Sequence, residues 1–329
     1  MAARRMVGAW VVALGLTGCS VSAVDAEAPR LGQRVSELAA PNGRNLNGRN
    51  LNGRNLNTTE LGQMLVSVRF AGARQSEAAS SALTRTWLEG SVFHGETARG
   101  RVSGLDFVGA RFTGNLGGGD TVELRVDDIQ PGTEANQGVW VYRVSYYSAL
   151  DARWKPACPA EDGSGLGAIP VEGAWDYRQG VPGGGSKLQD ASVFTFACEG
   201  AAIAKCIRFG YQPWATTPSG RSMADLHQAC TRMVRADFCG DGTSYTQDGS
   251  WVNLYDAAGV QQDTESWSVE AEWDTEGARC FTPVTRAGST PVACGSRMPL
   301  LGCGLPTNFL LGTLLMSEVP PASVPPAAP

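Results

Sequence analysis

Lysine is nearly missing from this 329-residue chain: Lys155, Lys187 and Lys205 are its only examples, and histidine is limited to His94 and His227. The arginines are scattered without a basic run, and the formal charge is −5. Nucleic-acid binding and a polybasic membrane patch both draw affinity from clustered Lys and Arg facing phosphate, so neither is expected. No Cys-x-x-Cys pair occurs and the two histidines lie far apart, which leaves a zinc site without its usual ligand spacing. A Gly-x-Ser-x-Gly nucleophile elbow is also missing. No cofactor or metal is therefore expected.

What is present begins with an address. Met1 to Arg5 is a basic start, Met6 to Leu16 an apolar run, and Leu16-Thr17-Gly18-Cys19 follows. The run is about eleven residues, where a membrane span needs about twenty. This pattern resembles bacterial lipoprotein leaders, and the resemblance implies cleavage before Cys19 and acylation of its thiol. Two or more acyl chains would anchor the protein firmly. Ser20-Val21-Ser22 lacks the Asp that retains lipoproteins at an inner membrane, which favours the outer membrane or cell surface. Removing residues 1 to 18, which carry Arg4, Arg5 and no acid, takes the charge from −5 to −7, a mildly acidic surface.

With Cys19 assigned to the lipid, an even set remains: Cys158, Cys198, Cys206, Cys230, Cys239, Cys280, Cys294 and Cys303. All lie between residues 158 and 303, a stretch that reads as a disulfide-stapled domain in an oxidising compartment. Their connectivity is open.

The chain divides into a leader (1–18), a tether (19–41), a pentad repeat (42–61), an N-terminal β domain (62–150), a disulfide-rich domain (151–305) and a C-terminal tail (306–329). The repeat Asn-Gly-Arg-Asn-Leu runs three times from Asn42 to Leu56, with Leu61 keeping the spacing. It is similar to pentapeptide-repeat coils, although Arg44, Arg49 and Arg54 fill slots where that family prefers small residues. A flexible spacer, a β-coil docked on the next domain and a partner-binding arm all remain open.

Val122, Leu124 and Val126 alternate with charged residues, and a central strand is expected from Val139 to Tyr147. Phe107 and Phe112, five apart among glycines, suit either a second trace of the pentad or two strands joined by a turn. Val193 to Cys198 and Ile203 to Tyr211 read as strands. A helix follows from Ser222 to about Asp237, with Ser222 and Asp225 in capping-box spacing, a stripe through Met223, Leu226, Cys230, Met233 and Val234, and Gly240 as its stop. Asp248-Gly249 marks a hairpin turn before a strand from Trp251 to Asp256. Trp267, Val269, Ala271 and Trp273 alternate with Ser268, Glu270 and Glu272 on a half-buried strand. Residues 317 to 329 read as a disordered tail. The fold class is thus β-rich α+β, with antiparallel sheets and one main helix.

The segment Leu226-His227-Gln228-Ala229-Cys230-Thr231-Arg232-Met233-Val234-Arg235-Ala236-Asp237-Phe238-Cys239-Gly240-Asp241-Gly242 resembles the ADYC domain family of myxobacterial exported proteins, whose name records an Ala-Asp-Tyr-Cys motif. Ala204 to Trp214 and the Asn-Gly-x-x-Leu repeat support the resemblance, which covers roughly residues 155 to 305. Phe238 stands in place of the family's Tyr, which points to a packing role for that ring. The resemblance carries no assigned activity.

Candidate chemistry is sparse. His227 and Cys230 share a helix face as a nucleophile and base would, but a disulfide competes for the thiol. Gly180-Val181-Pro182-Gly183-Gly184-Gly185-Ser186-Lys187 resembles a phosphate loop only superficially, its Ser and Lys being in the wrong order. The acid- and Gly-rich stretch Asp237 to Gly249 reads as tight turns, since a Ca²⁺ loop needs alternating ligands. Glu270 and Glu272 would project together about 7 Å apart, as a solvated strand face or a glycosidase-like pair. Trp87, Trp140, Trp154, Trp175, Trp214, Trp251, Trp267 and Trp273 allow either disulfide-side packing or a ligand platform. The leading expectation is a lipid-anchored, non-enzymatic envelope or surface module with a protein or glycan ligand. The alternative is an exported hydrolase, acting for example on glycans, with catalytic acids hidden among ordinary Asp and Glu.

Overall fold

In the computed structural model, residues 64–321 are described, apart from 77–81, 135–136, 161–163, 218, 247–249, 265 and 298–301. The leader, the tether, the repeat and Cys19 lie outside the described residues, as do the Asp248-Gly249 turn and residues 322–329.

Period-two patterning builds the first body. Its strands are β1 (Leu65–Arg74), β2 (Arg85–Glu89), β3 (Val92–Thr97), β4 (Gly100–Ser103), β5 (Arg111–Leu116), β6 (Thr121–Gln130), β7 (Val141–Ser148), β8 (Arg153–Pro156), β9 (Ala168–Glu172), β10 (Ala174–Trp175), β11 (Lys187–Leu188) and β12 (Val193–Cys198). On β6, Val122, Leu124 and Val126 are buried while Glu123 and Arg125 are half-buried on the other face. Pairing runs β6-β5-β1-β12-β9-β7, and β7 returns to β6, closing an antiparallel barrel with β8 added beside β7. Strands from both sides of residue 150 are needed to close this ring, so the sheet does not divide where the sequence pattern separates two domains.

The barrel interior is aromatic. Phe93 comes in from the separate β2-β3-β4 sheet and lies 5.0–5.9 Å from the rings of Phe107, Phe112, Tyr142, Phe194 and Phe196. Such ring pairs contribute about 0.5–1.5 kcal/mol each beyond area burial. Phe107 belongs to a 3-10 helix (Gly104–Phe107) and Phe112 to β5, so their five-residue spacing is that of a helical turn feeding a strand. The expected central strand is β7, and its two apolar faces have separate tasks. Tyr142, Val144 and Tyr146 join the barrel core, while Val139 and Val141 join Ile203, Ala204 and Ile207 outside it.

Those last three residues lie on a helix, α1 (Ala202–Arg208), where a strand was expected from Ile203 to Tyr211. A helix wedged between two bodies is apolar on both sides and so loses the one-sided 3.6-residue pattern that would reveal it. Ile203, Ala204 and Ile207 pack on the barrel, and Ala202, Cys206 and Phe209 pack on the second core.

The second core lies between α2 (Ala224–Arg235) and a sheet of β13 (Asn253–Asp256), β14 (Ser268–Asp274), β15 (Gly277–Phe281) and β16 (Leu315–Val319), in the order β13-β16-β14-β15. Leu226, Cys230, Met233 and Val234 of α2 pack with Leu254, Ala271, Trp273 and Leu315. The tail expected to be disordered thus supplies β16, hydrogen-bonded on both sides within this sheet. Its residues are all buried, and the Pro- and Ala-rich composition that suggested disorder begins only after it.

All eight expected cysteines are bridged, as Cys158–Cys198, Cys206–Cys230, Cys239–Cys294 and Cys280–Cys303. Cys206–Cys230 joins α1 to α2. The architecture is β-rich with antiparallel sheets, and α2 is its longest described helix. No described helix is long and apolar enough to cross a membrane.

Candidate functional site

The polar side of α2 carries Asp225, Gln228 and Arg232, spaced three and four apart, opposite the apolar stripe. Arg232 is 1% exposed. It donates from Nη1 to the Gly184 carbonyl and the Asp237 carboxylate, from Nη2 to Ser186 Oγ at 2.7 Å, and from Nε to the Thr275 carbonyl at 3.2 Å. Asp237 also accepts the backbone N–H groups of Asp241 at 3.2 Å and Gly242 at 3.1 Å. Burial pushes the Asp237 carboxyl up, against the pull of Arg232 and Arg235. One buried arginine thereby ties the glycine-rich loop, the β14-β15 turn and the end of α2 together.

The glycines of that loop permit close approach. A Cβ on Gly184 would lie 2.2 Å from the Asp241 carbonyl oxygen, and one on Gly185 would lie 2.6 Å from Arg232 Nη1. The run that resembled a phosphate loop is therefore shaped to pack against Arg232 and the turn after α2.

Helix α2 starts and stops differently from expectation. Met223 is its N-cap, Ser222 Oγ accepts the Ala224 N–H at 3.2 Å, and no capping box forms. It stops at Ala236, left-handed at φ +51°, four residues before Gly240. Phe238 then packs 5.3 Å from the rings of both Trp273 and Phe281, and Cys239 is bridged to Cys294. Ala236-Asp237-Phe238-Cys239 is thus a left-handed stop, a buried carboxylate, a core ring and a staple in succession.

Above this network opens a cleft of about 260 Å³, walled by Ser186, Lys187, Gln189, Asp225, Gln228 and Glu276. Lys187, on β11, holds its ammonium 5.2 Å from the Trp175 ring centre. Desolvation lowers its pKa, with Glu172 acting weakly in the other sense. Gln228 is clamped beneath, donating to the Gly185 carbonyl at 3.0 Å and accepting the Trp175 indole N–H at 3.0 Å. Among the described residues, neither Lys187 nor Asp225 has an ion-pair or hydrogen-bonded side-chain partner. Composition alone did not single out Lys187; its signal was rarity, one of three lysines.

The other candidates resolve as follows. His227 is fully buried rather than at a boundary; its Nε2 faces the Ile203 carbonyl at 3.1 Å, and burial lowers its pKa to about 3. Cys230 beside it is bridged, so no thiol–imidazole pair exists there. Glu270 and Glu272 are both 0% exposed, not a solvated face. A β-bulge between Val269 and Ala271 directs Glu270 toward Arg286 and Ser317, the hydroxyl that also accepts the Trp273 indole N–H. Glu272 accepts three bonds of 2.6 Å, from Gly304 N–H, Asn308 Nδ2 and Thr313 Oγ1. Glu272 also lies near Cys280 and Cys303, whose sulfurs are bridged to each other and so are not thiolate ligands. Of the tryptophans, Trp175 and Trp273 are buried and the other six half-buried.

These features define a disulfide-stapled antiparallel β protein whose motif segment serves as a buried fastening beneath a small polar cleft. The model of the ADYC domain matches residues 104–287, more than half of the chain, and the protein belongs to that family. The match starts inside the barrel, about fifty residues before the similarity expected from the motif. No curated protein and no solved structure matches the chain.

Proposed function

We propose that this protein is a lipid-anchored module of the cell envelope or surface that binds a ligand without chemically transforming it. Support for an extracytoplasmic setting comes from the four disulfides, which persist in oxidising compartments. The leader and Cys19 support anchoring by acyl chains, with the outer membrane or cell surface as the destination. The observation that carries the binding reading is Lys187, a cation with no ion-paired side chain among the described residues, on the wall of a cleft where the Gln228 amide is held by Trp175 and Gly185 and the Ser186 oxygen by Arg232.

An exported hydrolase is not favoured. Glu270, Glu272 and Asp237 are buried and saturated with donors, so none is placed to exchange protons with a substrate in a cleft. The protein partner, or a glycan, would meet an acidic molecule that offers nucleic acid no basic track.

Labelling with a radioactive or alkyne fatty acid tests the anchor. Wild type should carry label and fractionate with membranes, and Cys19→Ser should lose both. Label retained by Cys19→Ser, or unlabelled wild type in the cytosol, would overturn this reading.

A further inference from the structure

We propose that the cleft between β11 and α2 recognises a carboxylate group carried by a small ligand, with Lys187 and Ser186 as its donors. This rests on the binding reading above and specifies its ligand class. Ser186 Oγ accepts Arg232 Nη2–H at 2.7 Å, which leaves its own hydroxyl hydrogen to donate. Ser186 and Lys187 line the same cavity, and among the described residues no carboxylate forms an ion pair with Lys187, Glu172 acting on it only as a nearby charge.

The floor is rigid. Gln228 is held at both ends of its amide, and Ser186 is fixed by a guanidinium that is itself 1% exposed. Donors held this way need little reorganisation on binding, which is what makes a single charge-assisted contact effective. Asp225 lines the same cleft with no ion-paired or hydrogen-bonded side-chain partner among the described residues and suits an ammonium on the same ligand.

Size and lining select the class. A cleft of about 260 Å³ lies below the usual range of about 300–1,000 Å³ for drug-sized ligands. The nearest indole, Trp175, is 5% exposed beneath Lys187 and offers no face for a sugar ring to stack on. A free amino acid or the end residue of a peptide fits both constraints, and the two share the carboxylate.

Titration calorimetry on the full chain, purified with its disulfides oxidised, separates these sources. The probes are alanine, Ala-Ala, N-acetyl-Ala-Ala and Ala-Ala amide. Binding of Ala-Ala with at least tenfold loss for the amide is expected, and alanine against Ala-Ala distinguishes the free amino acid from the peptide end. Lys187→Met should weaken carboxylate binding at least tenfold, and Lys187→Arg should restore most of it. Asp225→Asn should weaken Ala-Ala but leave N-acetyl-Ala-Ala unchanged. Equal affinity for Ala-Ala and its amide, wild-type affinity in a folded Lys187→Met protein, or no heat with any probe would overturn the proposal. Fatty-acid labelling reads the anchor separately: a labelled protein that binds none of the probes refutes the carboxylate site alone.

Discussion

Arg232 and Asp237, five residues apart, form an ion pair in which the side chains are 1% and 0% exposed. In a continuing α-helix, residues five apart point about 140° away from each other. The pair forms because Ala236 turns left-handed and folds the chain back on α2. The motif that names the family is thus the bend that closes this pair.

Breaking one side of the pair strands a buried charge. Asp237→Asn and Arg232→Met are each expected to cost about 3–5 kcal/mol, and the double variant Arg232→Met/Asp237→Leu less than their sum. Urea denaturation with oxidised disulfides measures all three. Additive losses would show that the two side chains act independently.

Gly240 sits under the Glu276 carbonyl at φ +69°, where a Cβ would lie 1.7 Å from that oxygen. Gly240→Ala should therefore prevent the β14-β15 turn from docking and lower expression of folded, fully oxidised protein. Free-thiol titration after non-reducing purification checks this, since the turn lies next to Cys239.

His227 gives stability a pH dependence. Its folded pKa of about 3 lies below the reference value of 6.5, so the unfolded chain binds the extra proton between these limits. Its contribution is whole above about pH 6.5 and falls by up to about 1.4 kcal/mol per pH unit on acidification toward 3. Burial raises the carboxyls of Asp237 and Glu318, which act with the opposite sign, so the readout is wild type minus His227→Gln. The Gln variant should keep the bond to the Ile203 carbonyl and lose this slope.

Glu272 fastens the segment from Gly302 to Thr313 over the sheet. Glu272→Ala removes the acceptor of two buried donors, Asn308 Nδ2 and Thr313 Oγ1, and of the half-buried Gly304 N–H. The loss should be about 1–3 kcal/mol at Thr313, whose hydroxyl keeps no other acceptor among the described residues, and less at Asn308, which keeps the Gly302 carbonyl. Leu305, Leu310 and Leu311 are already exposed, so limited thermolysin digestion should cut there early in the variant. Unchanged digestion would show that Cys280–Cys303 holds the segment unaided.

Patterning that depends on neighbours in the chain was legible. The alternation at Val122, Leu124 and Val126, the strand Val193–Cys198 and the stripe of α2 each follow from local spacing, and the even set of bridged cysteines from their count. The errors cluster where an element is buried on two sides or displaced by a bulge. Helix α1 is buried from Ala202 to Ile207, β16 was hidden beside a Pro- and Ala-rich end, and a one-residue bulge separated Glu270 from Glu272. The cleft was illegible for a similar reason: Lys187 and Asp225 are thirty-eight positions apart and meet only through the glycine loop.

By itself, the amino-acid sequence determined the acidic balance, the β-rich class and the family, since each depends on composition or on residues close along the chain. Tertiary structure alone decided the disulfide pairing, the ring closed across residue 150, and the burial of Glu270, Glu272, Asp237 and His227. The physical reason is that a charged or polar side chain goes inside only where distant segments bring it partners, and local spacing carries no record of which segments those are.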